Sequence, residues 1–226
     1  MDGHIYKAFD IELKELKEKL LYEGGLVERA IRDATRALVQ RSSEIAEKVI
    51  DDDHAVNAKE VEIDEYCLKL LALRQPAARD LRLITTAIKI NYDLERIGDM
   101  AVNICERVLE LNQEPQLKPY IDLPSMAEIV QRMVKESLDA FVGEDVELAR
   151  KVTREDQRVD QLLEQMFREL LTYMIEDPQT ITRATRVLFL SKYLERIADH
   201  AVNIAELVIF MVEGKIIRHM KEPDQD

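Results

Sequence analysis

The sequence predicts an all-α protein built as two tandem three-helix bundles related by internal duplication. Three observations carry that expectation: a scarcity of helix breakers, apolar residues spaced three and four apart, and one motif written twice. Glycine and proline number six each in 226 residues, where average usage would give roughly 27 together. Residues 94–104 read LERIGDMAVNI and residues 194–204 read LERIADHAVNI, identical at nine of eleven positions. Upstream, Val27, Arg29, Ala37, Glu44, Ala46, Asp53 and Val56 recur 103 positions later as Val130, Arg132, Ala140, Glu147, Ala149, Asp156 and Val159. The offset then falls from 103 to 100, so the second copy is three residues shorter between its second and third helices. A repeat of about 100 residues is domain-sized, too long for a solenoid unit.

Each element follows from local pattern. Phe9, Leu13, Leu16, Leu20, Gly24, Val27, Ile31, Ala34 and Leu38 step by three or four and form the buried stripe of a first helix. Gly24-Gly25 lies inside it, where a bend is expected. Breaks fall around Ser42-Ser43, at Arg74-Gln75-Pro76, through 112–124 with three prolines, around Gly143, and at Asp177-Pro178. The last helix carries Leu194, Ile197, Ala201, Ile204, Val208 and Met211 at the same spacing. Six helices result, several near 30 residues and so about 45 Å long. Short connections make neighbours antiparallel. The first bundle is expected over 1–112, a linker over 113–124, the second bundle over 125–214 and a C-terminal tail over 215–226.

Composition excludes several roles. With 45 Asp+Glu against 32 Lys+Arg the net charge is −13, the wrong sign for phosphate backbones or anionic lipid. The longest unbroken apolar run, 207–212, is six residues, while a spanning helix needs about 20. The start MDGHIYKAFD lacks the basic start and the apolar stretch of a signal peptide. Glycines at 3, 24, 25, 98, 143 and 214 permit neither GxGxxG nor GxxxxGK[ST]. Cys67 and Cys105 form no CxxC and read as buried thiols of a reducing compartment. No nucleophile motif is present, so no enzyme activity is expected.

The candidate chemistry is acidic. Glu95-x-x-x-Asp99-x-x-x-Asn103 matches Glu195-x-x-x-Asp199-x-x-x-Asn203. Like charges four apart share a helix face and repel, a pattern that calls for a cation. On a helical wheel they lie away from the apolar stripe, facing a groove or open surface. Heights measured from the hairpin turns add partners. Asp53 and Asp99 lie 23 residues either side of Pro76, and Asn57 and Glu95 lie 19. Around Pro178, Asp156 and Asp160 lie 22 and 18 back, Asp199 and Glu195 21 and 17 forward. The candidate metal ligands are therefore Asp53, Asn57, Glu95 and Asp99 in the first bundle and Asp156, Asp160, Glu195 and Asp199 in the second. Glu60-x-x-x-Asp64 sits nearer the turn. Four oxygens suit Mg, Mn, Ca or Fe rather than Cu(I). The plainer alternative is that these acids pair with Arg82, Arg96, Arg132 and Arg196, or are solvated.

Other features read as structural. His54 and His200 each follow an acid of the set but point about 100° away from it. The run 74–82, RQPAARDLR, is a turn with a helix start, with anion binding as its alternative. Met126, Met133, Met166 and Met174 are core filler.

Taken together, the doubled three-helix unit, RQPAARDLR, the twin LERIGD and LERIAD blocks and Thr172-Tyr173-Met174 before Asp177-Pro178 resemble the PhoU family over about residues 10–215. That resemblance implies a cytoplasmic negative regulator of phosphate uptake and of the phosphate-starvation response, recruited to membrane partners. It implies an adaptor between the ATPase subunit of the phosphate ABC transporter and a sensor histidine kinase, with homodimer formation. It also implies metal on the acidic faces, iron or another oxygen-preferring cation such as Mg or Mn, with zinc as an alternative, and stronger occupancy in the second bundle because Asn57 stands where Asp160 does. The rival reading is a metal-dependent enzyme or metal store using the same carboxylates.

Overall fold

The structure is a computed structural model and describes residues 2–215, with side chains from residue 8; the tail expected beyond residue 215 lies outside the described residues. Among the described residues it contains helices and turns and no strand. Helix α1 spans Asp2–Gln40, α2 Ser43–Asp52, α3 His54–Arg74, α4 Ala78–Asn112, α5 Asp122–Gly143, α6 Val146–Glu176 and α7 Ile181–Glu213, with a 3₁₀ turn at Pro178–Thr180. The architecture is two three-helix units in tandem, α1 with α2/α3 and α4, then α5 with α6 and α7.

Local chemistry sets the ends. Ser42 caps α2 by accepting from Ile45 N–H at 3.3 Å, and Asp145 caps α6 by accepting from Leu148 N–H at 3.0 Å. Gln75 ends α3 in the left-handed region with φ 47°, and Pro76 prevents continuation. Pro124 falls inside the first turn of α5, where its missing N–H costs nothing, so that helix already starts at Asp122.

Six helices were expected, and the six are found among the described residues, the second helix of the first copy being interrupted at the single residue Asp53 and so divided into α2 and α3. Three consecutive acids, Asp51-Asp52-Asp53, repel there, and His54 Nδ1 donates to the Asp51 carbonyl at 2.5 Å, taking an acceptor that the helix ladder would use. The second copy has Arg154-Glu155-Asp156-Gln157 at the matching positions and α6 runs through unbroken. Helix α1 runs as one continuous helix through Gly24-Gly25. Gly24 permits close approach to α5, because a Cβ there would stand 2.2 Å from Leu138 Cδ1. Gly25 faces open space.

The units pack side by side. Helices α4 and α7 run antiparallel along their length, and α1 lies on α5. At one end Arg82 Nε donates to the Met211 carbonyl at 3.2 Å. In the middle His200 Nδ1 meets Asp93 Oδ1 at 2.8 Å. At the other end Arg186 Nε donates to Glu110 at 2.8 Å and also pairs with Glu114, while Arg183 donates to the Pro115 carbonyl at 3.1 Å. This register is symmetric about Ile97 and Ile197, equivalent positions of the two copies and both fully buried.

The adjacent glycines are expected to respond in opposite directions. Gly25→Ala should raise stability by about 1 kcal/mol through helix propensity, whereas Gly24→Val should lower it by about 1–3 kcal/mol through overpacking against Leu138. Urea unfolding of both variants beside the parent checks this, and equal shifts of the two midpoints would refute the close-packing role.

Candidate functional site

In the first bundle Asp53 stands at the α2/α3 break directly over α4. A Cβ on Gly98 would lie 3.4 Å from Asp53 Oδ1, so the glycine lets the two helices meet at the acid. Asn57 Nδ2 donates to Asp53 Oδ2 at 2.9 Å, one turn along α3. Burial raises the Asp53 pKa and the Asp99 charge raises it further, against the Asn57 hydrogen bond. Burial also raises Glu95, followed by the charges of Asp99, Glu60 and Asp53, with Arg96 opposing. The structure thus brings Asp53, Glu95 and Asp99 into mutual electrostatic reach, and holds Asn57 on Asp53. A cavity of about 260 Å³ opens beside the break, lined by Arg29, Asp33, Asp52, Asp53 and His54 among others.

In the second bundle all four sequence-expected acids interact. The Asp156 pKa is pushed up to about 6, first by burial and then by Asp160, Asp199 and Glu195. Asp156 Oδ1 is buried with no hydrogen-bond partner. Asp199 is raised by burial and by Glu195 and Asp160, with His200 and Lys192 opposing. The α4–α7 register places Glu95 level with Asp199 and Asp99 level with Glu195, while Asp99 acts on Asp53, and Glu195 and Asp199 on Asp156, within their own bundles.

The alternative of pairing with cationic side chains is realised in part. Arg96 donates to Asp99 at 3.0 Å and Lys192 to Glu195 at 3.1 Å, both along one helix and both solvent-accessible, a class of pair worth about 0.3–0.5 kcal/mol. Arg82 is engaged by the Met211 carbonyl and Arg132 by Glu155. The donor set is all oxygen and fits a hard cation, and the orphaned Asp156 oxygen is the kind of atom such an ion satisfies. As the side chains stand, no three acid, His or Cys groups among the described residues converge on one point.

The remaining candidates resolve into structure. His54 holds the helix break and His200 crosses to Asp93 on α4. Met126, Met133 and Met166 are buried, as are both cysteines, whose pKa values burial pushes up to about 12. One residue escaped the sequence reading: Glu23 on α1, fully buried with neither carboxyl oxygen partnered. Its signal was available, because Glu23 lies three residues after Leu20 and four before Val27, inside the apolar stripe, where the second copy has Met126.

Comparison with known proteins now bears on this arrangement. The PhoU domain matches twice, over residues 22–108 and 123–208. The chain belongs to the PhoU family. A PhoU homolog of Pseudomonas aeruginosa, called a phosphate-specific transport system accessory protein, is 44% identical over 218 residues, covering 96% of this chain and 90% of the relative. The Escherichia coli K12 protein of that description is 38% identical over 226 residues, covering 100% and 94%. The Aquifex aeolicus homolog is 47% identical over 208 residues, covering 92% and 94%. The crystal structure of PhoU from P. aeruginosa superposes with TM-score 0.88 at 44% identity, covering 92% of this chain and 100% of that one. The phosphate transport system regulatory protein PhoU from Streptococcus pneumoniae gives TM-score 0.86 at 31% identity, covering 92% and 98%. These PhoU relatives are named as accessory or regulatory proteins, and none of those names is that of an enzyme.

The Asp156 cluster carries a pH signature. Its folded pKa of about 6 lies above the ordinary 3.8, so the folded state holds an extra proton between those values. The stability this contributes is present at low pH and lost as pH rises through about 4 to 6. Asp156→Asn, measured in chelator, should remove that fall and raise stability at pH 7 by about 1–2 kcal/mol after allowance for solvent screening. Unfolding midpoints across pH 4–8 test it, and parallel curves for parent and variant would show that the acids do not interact.

Proposed function

We propose that this chain is the regulatory accessory protein of a phosphate-specific transport system, a negative regulator of phosphate uptake and of the phosphate-starvation response. The observation that carries this reading is similarity across almost the whole chain to proteins named for that system, 44% identity over 96% of the chain in one case. In this reading it is an adaptor in the cytoplasm, linking the ATPase subunit of the phosphate ABC transporter to a sensor histidine kinase. No helix among the described residues is long and apolar enough to cross a membrane, so contact with membrane partners would come by docking. A net charge of −13 favours basic faces on those partners. A homodimer would present each docking face twice and raise avidity for a two-fold transporter.

The carboxylate groups would serve as cation sites, with iron, Mg or Mn as the matching ions and zinc as the nitrogen- and sulfur-tolerant alternative. Asp156, Asp160, Glu195 and Asp199 supply four carboxylates, whereas Asn57 leaves the first set one charge short. The second bundle is thus expected to hold its ion more tightly.

Deleting the gene should leave phosphate-transport genes expressed at high phosphate, read with a reporter in deletion and complemented strains. A reporter that stays repressed in the deletion would overturn the regulatory reading. Elemental analysis of tag-free protein should show Asp199→Ala losing most bound metal and Asp99→Ala losing less. Equal metal in both variants and the parent would remove the assignment.

A further inference from the structure

The core of the first bundle contains a layer of oxygen atoms that the second bundle lacks. Glu23 of α1 is 0% exposed, and both its carboxyl oxygens are buried without a hydrogen-bond partner. Asn91 of α4 is also 0% exposed. Its amide nitrogen donates to the Glu60 carbonyl and to Asp64 Oδ1, each at 2.9 Å, which fixes the amide orientation. The Asn91 Oδ1 atom is consequently left buried with no donor. Glu60, Asp64 and Glu95 are the acids whose charges act on Glu23. Lys59 opposes them, but it is engaged by Glu62 and lies 5.1 Å from the Tyr22 ring centre.

The internal duplication supplies a control within the same chain. At the repeat offsets, Glu23 corresponds to Met126, Glu60 to Leu163, Asp64 to Phe167 and Asn91 to Ser191, while Glu95 retains its acid as Glu195. Three acids on α1 and α3 are present together in one copy and apolar together in the other, and Asn91 gives way to Ser191, whose hydroxyl is satisfied by the Leu188 carbonyl at 2.8 Å. Met126 is 0% exposed, so this layer packs well without a carboxyl. Burying one unpartnered carries the full cost of its desolvation, a penalty that the second copy avoids and the first accepts.

We propose that Glu23, Glu60, Asp64, Glu95 and the Asn91 amide oxygen form an internal site for a hard divalent cation, of the Mg²⁺ or Mn²⁺ class, in the first bundle. It shares Glu95 with the Asp53–Asp99 face and differs from it in depending on Glu23, so it stands whether or not Asp53 binds metal. Three helices contribute, so the ion would bind α1, α3 and α4 together. Oxygen donors without nitrogen or sulfur select this class. As they stand, no three of these acids meet at one point; Glu60, Asp64 and Glu95 are partly exposed, and the site would close on rotation of their side chains inward toward Glu23. Burial and the neighbouring acids push the Glu23 pKa up to about 9, so the empty layer is neutralised by a proton that the cation replaces.

Equilibrium dialysis of full-length protein with Mn²⁺, followed by thermal unfolding with and without Mn²⁺, tests the site. Parent, Glu23→Gln, Glu23→Met and Asp53→Asn are compared. Both Glu23 variants should fold, since each removes an uncompensated acid, and Glu23→Met installs the residue of the second copy. The parent should bind one Mn²⁺ more per chain than either Glu23 variant, and its Mn²⁺-induced rise in melting temperature should shrink in both. Asp53→Asn should keep the Glu23-dependent ion, which separates this site from the surface faces. Equal Mn²⁺ stoichiometry and equal thermal shifts in parent and both Glu23 variants would overturn the proposal, leaving Glu23 as a neutral buried acid.

Discussion

The antiparallel contact between α4 and α7 is the constraint on which the molecule depends. Because the two helices are equivalent members of an internal repeat, their register about Ile97 and Ile197 fixes where everything attached to them must stand. Arg82 seals one end on the Met211 carbonyl and Arg186 the other on Glu110, so the seam resists sliding. The centre is apolar: Ile97, Ala101, Ile197 and Ala201 are all fully buried. The acids can then only face outward from this seam, toward the second helix of each bundle. That is the arrangement that sets Asp99 against Asp53 and Asp199 against Asp156.

Holding acids together has an energetic consequence. Asp53, Glu95, Asp156 and Asp199 all have raised pKa values, with burial the largest cause in each and neighbouring carboxylates contributing. The accessible Arg96 and Lys192 pairs relieve only the solvent side. The metal-free protein therefore carries electrostatic stress on both bundles, and a bound cation or a proton is what lowers it. A site of this kind couples ion binding to the packing of the helices that supply it.

Much of this was legible in the sequence, because it rests on short-range rules. Helical spacing identified the α1 and α7 stripes, and residue counts from Pro76 and Pro178 matched Asp53 with Asp99 and Asp156 with Asp199. What escaped depended on contacts between segments or on competition within one turn. The α2/α3 break arises from three acids and the His54 side chain, and nothing in the apolar pattern changes there. The tight packing of Gly24 could not be seen because its neighbour, Leu138, lies more than a hundred residues away in sequence. The Asp93–His200 pair joins the two copies and needs the α4–α7 register before it can be seen. Glu23 was hidden by its own surroundings, since an acid within an apolar stripe is easily passed over when Gly24 beside it keeps the spacing.

The two copies have diverged in a physically coherent way. At equivalent heights, Glu60, Asp64, Lys89 and Asp93 of the first become Leu163, Phe167, Phe189 and Tyr193 of the second. Phe189 and Tyr193 stack with ring centres 6.3 Å apart, and Phe167 and Phe189 remain 44% and 47% exposed. The first bundle has thus kept charge and buried oxygen at a level where the second has apolar and aromatic side chains. Duplication of a bundle leaves every buried contact made twice, so either copy is free to change only where the α4–α7 seam is not involved. The altered positions obey that limit with one exception. Asp93 faces the seam, and its change to Tyr193 is matched across the register, where His200 of the second copy corresponds to Met100 of the first. A polar pair thereby stands at one of two pseudo-equivalent points and Met100 and Tyr193 at the other, so the seam itself is asymmetric where the backbone is not.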